Sequence, residues 1–278
     1  MQLTPEQAKG RIKNLAKQKN ADARILMRIY MMERFLERIS VSEYNDNFII
    51  KGGMLVASMV GVSLRSTMDI DTSLKNQELS EEEARRIVDE IRQIDIHDGV
   101  YFEIKDVSGI MDEMEYPGVR FTMNAVMGKL ATPIKIDIST GDIITPRAIK
   151  YSYKLLLEER NISLWTYNLE TIFAEKLQTV LARGVLNTRM RDYYDISILL
   201  SVYEKDIDTS VLREAFYATC KKRKSVKLRS ESNEILAKLN DNTRLQELWR
   251  AYQKKYTYAK DISYEKIIED IGLLIKKI

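Results

Sequence analysis

The stretch KGGMLVASMVGVSLRSTMDID, residues 51–71, decides the fold. It follows the apolar segment NDNFII, which predicts a short strand, and its two glycines allow a tight turn into the short apolar helix MLVASMVGV. It ends on Asp69 and Asp71, which alternate with apolar residues and therefore share one face of a second predicted strand. Two like charges held side by side repel each other, so the pattern indicates a place for a cation.

A third acid is available on the later segment PIKIDIST, residues 133–140, where Asp137 alternates with three isoleucines. If its polar face lies beside Asp69 and Asp71, three carboxylates converge, and carboxylate oxygens are the ligands that Mg²⁺ or Mn²⁺ prefers. Gly52 and Gly53 would let backbone N–H groups approach a triphosphate closely. The alternative is a half-exposed edge strand whose acids face water. The succession of strand, Gly-Gly turn, short helix and second strand favours the site.

The pattern outside this stretch predicts a two-part chain. A helix is expected over Ala23–Ile39, and Ser80 with Glu83 begins a second one. Three strand candidates follow, at residues 101–109, 119–127 and 133–140, and read as a meander that extends the sheet. From about Leu155 onward the pattern is helical. We therefore expect an α+β fold with a mixed sheet and flanking helices in an α/β domain over residues 1–150, then an all-helical domain over residues 151–278.

Composition limits the classes of protein that fit. The single cysteine, Cys220, excludes an internal disulfide and a multi-cysteine zinc site, and no secretory signal or apolar span is evident, which predicts a reduced, cytoplasmic protein without a membrane segment. Residues 1–150 carry 21 Lys and Arg against 23 Asp and Glu, whereas residues 151–278 carry 23 against 18. Six of the basic residues lie in Lys221–Arg229 without an acid, either to hold phosphates or simply as a solvated surface.

The first stretch resembles a known signature. Lys-Gly-Gly at residues 51–53, followed by Arg-Ser-Thr-Met-Asp-Ile-Asp at residues 65–71, is similar to the nucleotidyltransferases related to DNA polymerase beta, and in particular to the AbiEii/AbiGii abortive-infection toxins. The superfamily pattern has Gly-Ser where this chain has Gly52 and Gly53, so one phosphate-binding hydroxyl is missing. The resemblance covers roughly residues 45–200.

The predicted helical half carries two further parts of the resemblance. Lys176 falls within an apolar helical stripe, where it either extends its amine to solvent or reaches a buried anion such as a nucleotide phosphate. Asp192 and Asp195 share a face of the next helix, where they could complement the helix dipole or pair with Arg189 and Arg191. Glu-Lys at 175–176 and Arg-x-Arg-Asp-x-x-Asp at 189–195 are similar to the toxin family's later motifs.

The resemblance implies a nucleotidyltransferase fold whose helical domain completes the nucleotide site. It implies that Asp69, Asp71 and Asp137 ligate Mg²⁺ or Mn²⁺, and that Lys176 and Asp192 act with them in catalysis. It implies a nucleoside triphosphate bound by a set of seven residues: Lys51, Gly52, Gly53, Arg65, Thr67, Lys176 and Asp195.

The biological setting that the resemblance implies is phage defence. The protein would be the toxin of a type IV toxin–antitoxin pair, with an antitoxin that need not contact it stably, and its acceptor would be RNA such as the acceptor end of tRNA. Two alternatives stay open at this point. One is a transferase that modifies a small molecule such as an aminoglycoside, which would not need the basic stretch. The other is a nucleic-acid-binding protein without enzymatic activity, whose binding would not depend on Mg²⁺ or on Asp69.

Overall fold

The chain divides into two compact units in a computed structural model that describes residues 3–75, 80–110 and 118–278. The first unit comprises Met1–Asp142 with Ile149–Thr166, and the second comprises Ile143–Ala148 with Tyr167–Ile278. No helix in these described ranges is both long and apolar enough to cross a membrane.

The first unit is built on a mixed sheet. Its strands are β1 (Phe48–Lys51), β2 (Asp69–Leu74), β3 (Tyr101–Ile110), β4 (Gly118–Met127), β5 (Leu130–Thr140), β6 (Ile149–Lys154) and β7 (Asn161–Thr166). They follow the order β3-β4-β5-β2-β1-β7-β6, in which β2 pairs parallel to β5 and β1 parallel to β7, while the other neighbours are antiparallel. The predicted mixed sheet and its β3-β4-β5 meander are confirmed.

The helices of the first unit are α1 (Pro5–Lys19), α2 (Ala23–Val41), α3 (Gly52–Val60) and α4 (Glu81–Gln93). α2 packs against β5 and β7, and α4 packs against β3. Helix α3 begins on the two glycines themselves, one residue after β1 ends, so the predicted turn between strand and helix is a direct junction.

Helix α2 is buried more completely than its sequence indicates. An apolar stripe predicts one buried face, yet Arg38 is only 2% exposed. Its guanidinium donates to both oxygens of Asp98 at 2.9 and 3.0 Å and to the carbonyl of Val100. Likewise, both oxygens of Glu33 accept from the backbone N–H of Leu156. Charged residues can lie inside here because each has a partner, and a residue's long-range partner cannot be read from helical spacing.

The expectation of an all-helical pattern from Leu155 onward is wrong over residues 161–166, and β6 occupies residues that the predicted helical domain includes. Both segments alternate: Ile162, Leu164 and Thr166 of β7 are buried while the residues between them face outward. This period of two, with aromatic and β-branched side chains, is the signal that could have identified them. β7 then completes the sheet by pairing with β1.

The second unit is helical. Its helices are α5 (Leu169–Arg183), α6 (Met190–Tyr203), α7 (Thr209–Lys222), α8 (Leu228–Asn240), α9 (Thr243–Lys255) and α10 (Tyr264–Lys277). α5 packs against α6, α7 and α8, and α10 against α6, so apolar faces meet at the centre. Phe173 and Leu177 of α5 and Leu199 of α6 are fully buried there. With β strands in one unit and helices in the other, the predicted α+β class is confirmed.

Candidate active site

Four charged residues form a row across four neighbouring strands of the sheet. The register pairs Lys51 of β1 with Asp71 of β2, Asp71 with Asp137 of β5, and Asp137 with Arg120 of β4. Asp69 lies two residues before Asp71 on the same face. The row therefore reads positive, negative, negative, positive, and the two acids predicted to meet are direct neighbours.

The alternation of β5 fixes this arrangement. Ile134, Ile136 and Ile138 are at most 1% exposed on the covered face of the sheet, so Asp137 must lie on the other face. A slip by one residue would expose these isoleucines at about 1.5–3 kcal/mol each. The hydroxyl of Thr72 on β2 also donates to the carbonyl of Asp137 at 3.0 Å, which ties the two acid-bearing strands together beside the acids.

Asp71 has the most perturbed environment in the row. Burial and repulsion from Asp137 raise its pKa to about 6, against the opposing effects of the Lys51 charge and a hydrogen bond from the backbone N–H of Gly53. That bond joins Gly53 N to Asp71 Oδ2 at 3.2 Å. A cation that binds beside such a carboxyl group stabilises its ionised form and offsets the repulsion from the neighbouring carboxylates.

The two glycines leave room that a side chain would fill. Gly52 has φ +62°, and a Cβ atom there would lie 2.0 Å from Asp71 Oδ2. A Cβ atom on Gly53 would lie 2.7 Å from the hydroxyl oxygen of Thr67. Both positions require glycine, the first by its backbone conformation and by space and the second by space. By contrast, Gly61 also has a positive φ but has nothing within 4 Å of its Cβ position, so a turn alone explains it.

Arg65 and Thr67 lie behind the glycines. Both side chains are at most 2% exposed. The Arg65 guanidinium donates to the carbonyl of Ser66, and the Thr67 hydroxyl donates to the carbonyl of Asp69 at 3.2 Å. In this arrangement they hold the backbone at Ser66 and Asp69 in place, and their part in nucleotide binding stays a prediction.

Lys51 binds two residues that sequence reasoning missed. Its amine donates to Asp142 Oδ2 at 2.6 Å and to the Ser139 hydroxyl at 2.9 Å. The Asp142 side chain is fully buried. Ser139 could have been found, because it shares the polar face of β5 with Asp137. Asp142 follows the end of the strand, where alternation no longer predicts a direction.

Arg120 is the third residue of the site that sequence reasoning missed. It donates from Nε to Asp137 Oδ1 at 2.8 Å and from a terminal nitrogen to Asp137 Oδ2 at 2.6 Å. Alternation along β4 predicts that Arg120 lies on the face of the strand opposite to the buried Val119 and Phe121. The pairing of β4 with β5 in this register, which sequence spacing does not give, brings it to Asp137.

The donor set suits a hard divalent cation in its chemistry. Asp69, Asp71 and Asp137 offer carboxylate oxygens from one sheet face, and burial together with repulsion from Asp137 and Asp69 raises the pKa of Asp71. In the described part of the chain, however, no three acidic, histidine or cysteine side chains lie close enough together to hold a metal ion. The contact with Arg120 engages both Asp137 oxygens and keeps that carboxylate from sharing an ion with the other two.

The second unit holds a separate cluster of charges around Lys176. Its amine donates to Asp192 Oδ1 at 3.0 Å and to Asp195 Oδ2 at 2.7 Å, and Arg189 donates to the other oxygen of Asp192 at 3.0 Å. Burial raises the pKa of Asp192, but the charges of Lys176 and Arg189 outweigh that effect, so the pKa lies below its usual value. The Lys176 amine therefore lies against two buried carboxylates of its own chain, an ion pair that the sequence pattern did not predict.

Comparison with known proteins connects this geometry to a family. A family model described as "Nucleotidyl transferase AbiEii toxin, Type IV TA system" matches residues 34–270. Two solved structures from Helicobacter pylori, a candidate nucleotidyltransferase and JHP933, are each 15% identical to this chain over 91% of its length. They are covered over 93% and 92% of their own chains, with TM-scores of 0.48 and 0.47. No curated protein matches the chain.

Proposed function

We propose that this chain, which belongs to the AbiEii nucleotidyl transferase toxin family of type IV toxin–antitoxin systems, transfers a nucleoside monophosphate to an acceptor hydroxyl in a Mg²⁺-dependent reaction. The acceptor oxygen would attack the α-phosphorus of a nucleoside triphosphate, and the bond to the bridging oxygen would break to release pyrophosphate. The observation that carries this proposal is the pair Asp71 and Asp137, adjacent on neighbouring strands beside the Gly52–Gly53 junction.

We propose different roles for the acidic residues and the glycines of the first unit. Asp69, Asp71 and Asp137 would hold the divalent cation, which when bound neutralises charge on the phosphates and on the departing pyrophosphate. The backbone at Gly52 and Gly53 opens helix α3, so its N–H groups suit phosphate oxygens. These groups are held in place before substrate arrives, so catalysis would rest on positioning and electrostatics.

Lys176 is the residue of the second unit that we propose to bind the triphosphate. Lys176 carries the charge suited to a triphosphate, and Asp192 and Asp195 hold its amine in one position. We propose that the cluster presents this amine, with Asp192 orienting the nucleotide or the attacking hydroxyl.

The direct test is transfer of α-phosphate label from each of the four ribonucleoside triphosphates to total tRNA with Mg²⁺. We expect label in RNA with the parent protein and none with the Asp69→Ala/Asp71→Ala variant. Label in a small-molecule acceptor instead of RNA would support the aminoglycoside-type alternative. No label in RNA, protein or small molecules from a folded sample would contradict the transferase proposal for these substrates.

An RNA acceptor is supported by the basic turn, defined as Lys221–Arg229, which joins helices α7 and α8. Lys221, Lys222, Lys224 and Lys227 are exposed there. Arg223 is different, because its guanidinium binds Glu175 at 3.2 Å and Gln178 at 2.7 Å and so anchors the turn to α5. The turn therefore presents a fixed group of lysines rather than a loose tail, which suits a phosphate backbone.

A shallow pocket beside the basic turn adds an aromatic surface. It has a volume of about 230 Å³, and its lining includes Arg213, Tyr217, Val226 and Arg229. Tyr217 is 62% exposed and Val226 is 50% exposed. An exposed ring between positive charges can stack with a base, whereas a small polar acceptor would gain little from it. This feature favours RNA over an aminoglycoside.

Neutralising the basic turn should weaken RNA binding without unfolding the protein. The variant carries glutamine at Lys221, Lys222, Lys224 and Lys227. Its affinity for tRNA should fall about tenfold or more at low salt, and the slope of log affinity against log salt should become shallower, because each lost phosphate contact removes about 0.9 from that slope. Fluorescence anisotropy across a salt series measures both quantities.

A charge-matched control is available on helix α1, where Lys9, Lys13, Lys17 and Lys19 are also exposed. Glutamine at these four positions changes the net charge equally and should leave the affinity within about twofold, apart from general screening effects. Equal losses in the two variants would contradict a specific RNA surface at the basic turn. Intact RNA binding with the turn neutralised would contradict it as well.

Family membership implies a cognate antitoxin and a nucleoside triphosphate substrate. We further propose that the toxin acts in phage defence and that its antitoxin neutralises it without a stable complex. Co-purification of toxin with antitoxin from co-expressing cells, followed by size-exclusion chromatography, should therefore yield separate peaks.

A further inference from the structure

The ion pair Arg120–Asp137 is more exposed to solvent than Arg38–Asp98, in which an arginine also binds both oxygens of an aspartate. Arg38 and Asp98 are almost fully buried, with side chains 2% and 8% exposed, and Arg38 also donates to two backbone carbonyls. The Arg120 side chain is 40% exposed and that of Asp137 18% exposed. The first pair has the burial and the additional bonds of a structural contact, whereas the second is at the solvent edge.

A divalent cation and Arg120 compete for the same oxygens. The guanidinium takes one hydrogen bond to each oxygen of Asp137, at 2.8 and 2.6 Å. A divalent cation shared by Asp71 and Asp137 needs at least one of the two Asp137 oxygens. At least one of the two Arg120 hydrogen bonds must therefore break when the cation binds. Two parallel hydrogen bonds make this a strong type of ion pair. Both side chains nevertheless reach solvent, so the contact can be exchanged without unfolding the strand that carries it.

The charge of the row indicates what Arg120 would bind after the exchange. When Asp137 binds a cation, the Arg120 guanidinium loses its carboxylate partner, whereas Lys51 keeps Asp142. A guanidinium has the planar fork that binds two oxygens of a phosphate group as well as those of a carboxylate. A phosphate group of the triphosphate would replace the carboxylate that Arg120 has given up.

We propose that Arg120 is a positioning residue with two successive partners, Asp137 in the free protein and a phosphate group of the nucleotide once a divalent cation occupies the carboxylates. In the first state it holds Asp137 in place and keeps the acidic row neutral. In the second it contributes to binding the triphosphate. This inference rests on the proposed metal-dependent transfer and assigns Arg120 a part in it.

The test measures the affinity of the nucleotide-free protein for Mn²⁺ by electron paramagnetic resonance. The parent is compared with Arg120→Gln. Removing the Arg120 guanidinium, which competes with the metal ion for Asp137, should tighten Mn²⁺ binding about fivefold, as expected for the loss of a half-exposed ion pair. The same variant should raise the KM for the nucleoside triphosphate about tenfold, because a phosphate contact is lost. A residue with a purely structural role would not move these two quantities in opposite directions.

Arg86→Gln is the matched control. Arg86 lies on α4, and its exposed guanidinium also binds carboxylates, those of Glu83 and Glu90. This variant should leave Mn²⁺ affinity and KM unchanged. Arg120→Lys keeps the charge but not the fork, so its values should fall between those of the parent and Arg120→Gln.

Three results would overturn different claims. If the parent binds Mn²⁺ through Asp71 but folded Arg120→Gln binds it equally or more weakly, the exchange by Arg120 is wrong and the transfer reaction stands. An unchanged KM in Arg120→Gln would likewise contradict the phosphate contact. If the parent and Asp71→Asn bind Mn²⁺ equally poorly, the proposed metal site itself fails.

Discussion

Replacing Asp71 by asparagine is expected to abolish nucleotidyl transfer and, at pH 7.5, to raise the melting temperature. Transfer should fall by about a thousandfold or more, since the variant removes a charged ligand from the proposed cation site. The gain in stability follows from the position of Asp71 between burial and the like charge of Asp137. Asparagine keeps an oxygen that can accept the bond from Gly53.

The direction of the pH dependence follows from the raised pKa. Asp71 titrates near pH 6 in the folded protein, compared with 3.8 for an ordinary aspartate. Its ionised form is therefore unfavourable in the folded state, and this penalty grows from about pH 4 to pH 6 and is constant above. Relieving it should add about 1–2 kcal/mol to the free energy of unfolding at pH 7.5, with solvent at the half-buried face taken into account. At pH 4.5, which is above the ordinary pKa of 3.8, the gain should fall to about a third to a half of its value at pH 7.5.

Thermal melts at pH 4.5 and 7.5, with and without Mg²⁺, measure these effects together. Mg²⁺ should raise the melting temperature of the parent but not that of Asp71→Asn, because ligands stabilise the state that binds them. Asp106→Asn is the control: Asp106 is an exposed acid on β3 of the same sheet, and its replacement should change neither activity nor stability. Transfer above a tenth of the parent rate, or a lower melting temperature at pH 7.5, would contradict this account of Asp71.

The acidic row shows how far sequence patterns reach. Alternation places Asp69, Asp71 and Asp137 on polar strand faces, because a misplaced isoleucine would be exposed, and the structure brings Asp71 and Asp137 into register. What alternation cannot supply is the register between strands. The predicted meander places β4 beside β5, but Arg120 meets Asp137 through the register of that pair, and Asp142 meets Lys51 from beyond the end of β5; local spacing gives neither contact.

Long-range charge pairs explain the remaining differences. The buried charges of α2 look like surface residues in the sequence, since Asp98, the partner of Arg38, lies 60 residues away. Strand β7 alternates but was missed because its six residues lie just before the longer helical pattern of α5, and a short alternating segment carries little signal by itself. In each case the deciding contact is made by residues distant in the chain, and a single sequence gives no measure of that proximity.

Replacing Lys176 by methionine is expected to destabilise the protein and abolish transfer. Asp195 is fully buried and Asp192 nearly so, and both bind the Lys176 amine. Removing this cation while its anions stay buried should cost about 3–5 kcal/mol, the range for breaking one side of a buried ion pair. Urea denaturation measures the loss. Lys238→Met is the control, because Lys238 pairs with Glu234 on an exposed helical face and its removal should leave the urea midpoint unchanged.

A second variant separates the structural role of Lys176 from its proposed catalytic one. In Lys176→Met/Asp192→Asn/Asp195→Asn the buried charges are removed together, so most of the lost stability should return, with a coupling free energy of about 2 kcal/mol or more between the lysine and the acids. If Lys176, Asp192 and Asp195 serve only to stabilise the second unit, transfer should return with stability. If the cluster acts on the nucleotide, through the Lys176 amine or through Asp192, the triple variant should be stable and inactive. The second outcome is the one we expect, since a cation buried only to balance two acids could be replaced by neutral side chains at no loss, whereas one that binds substrate could not.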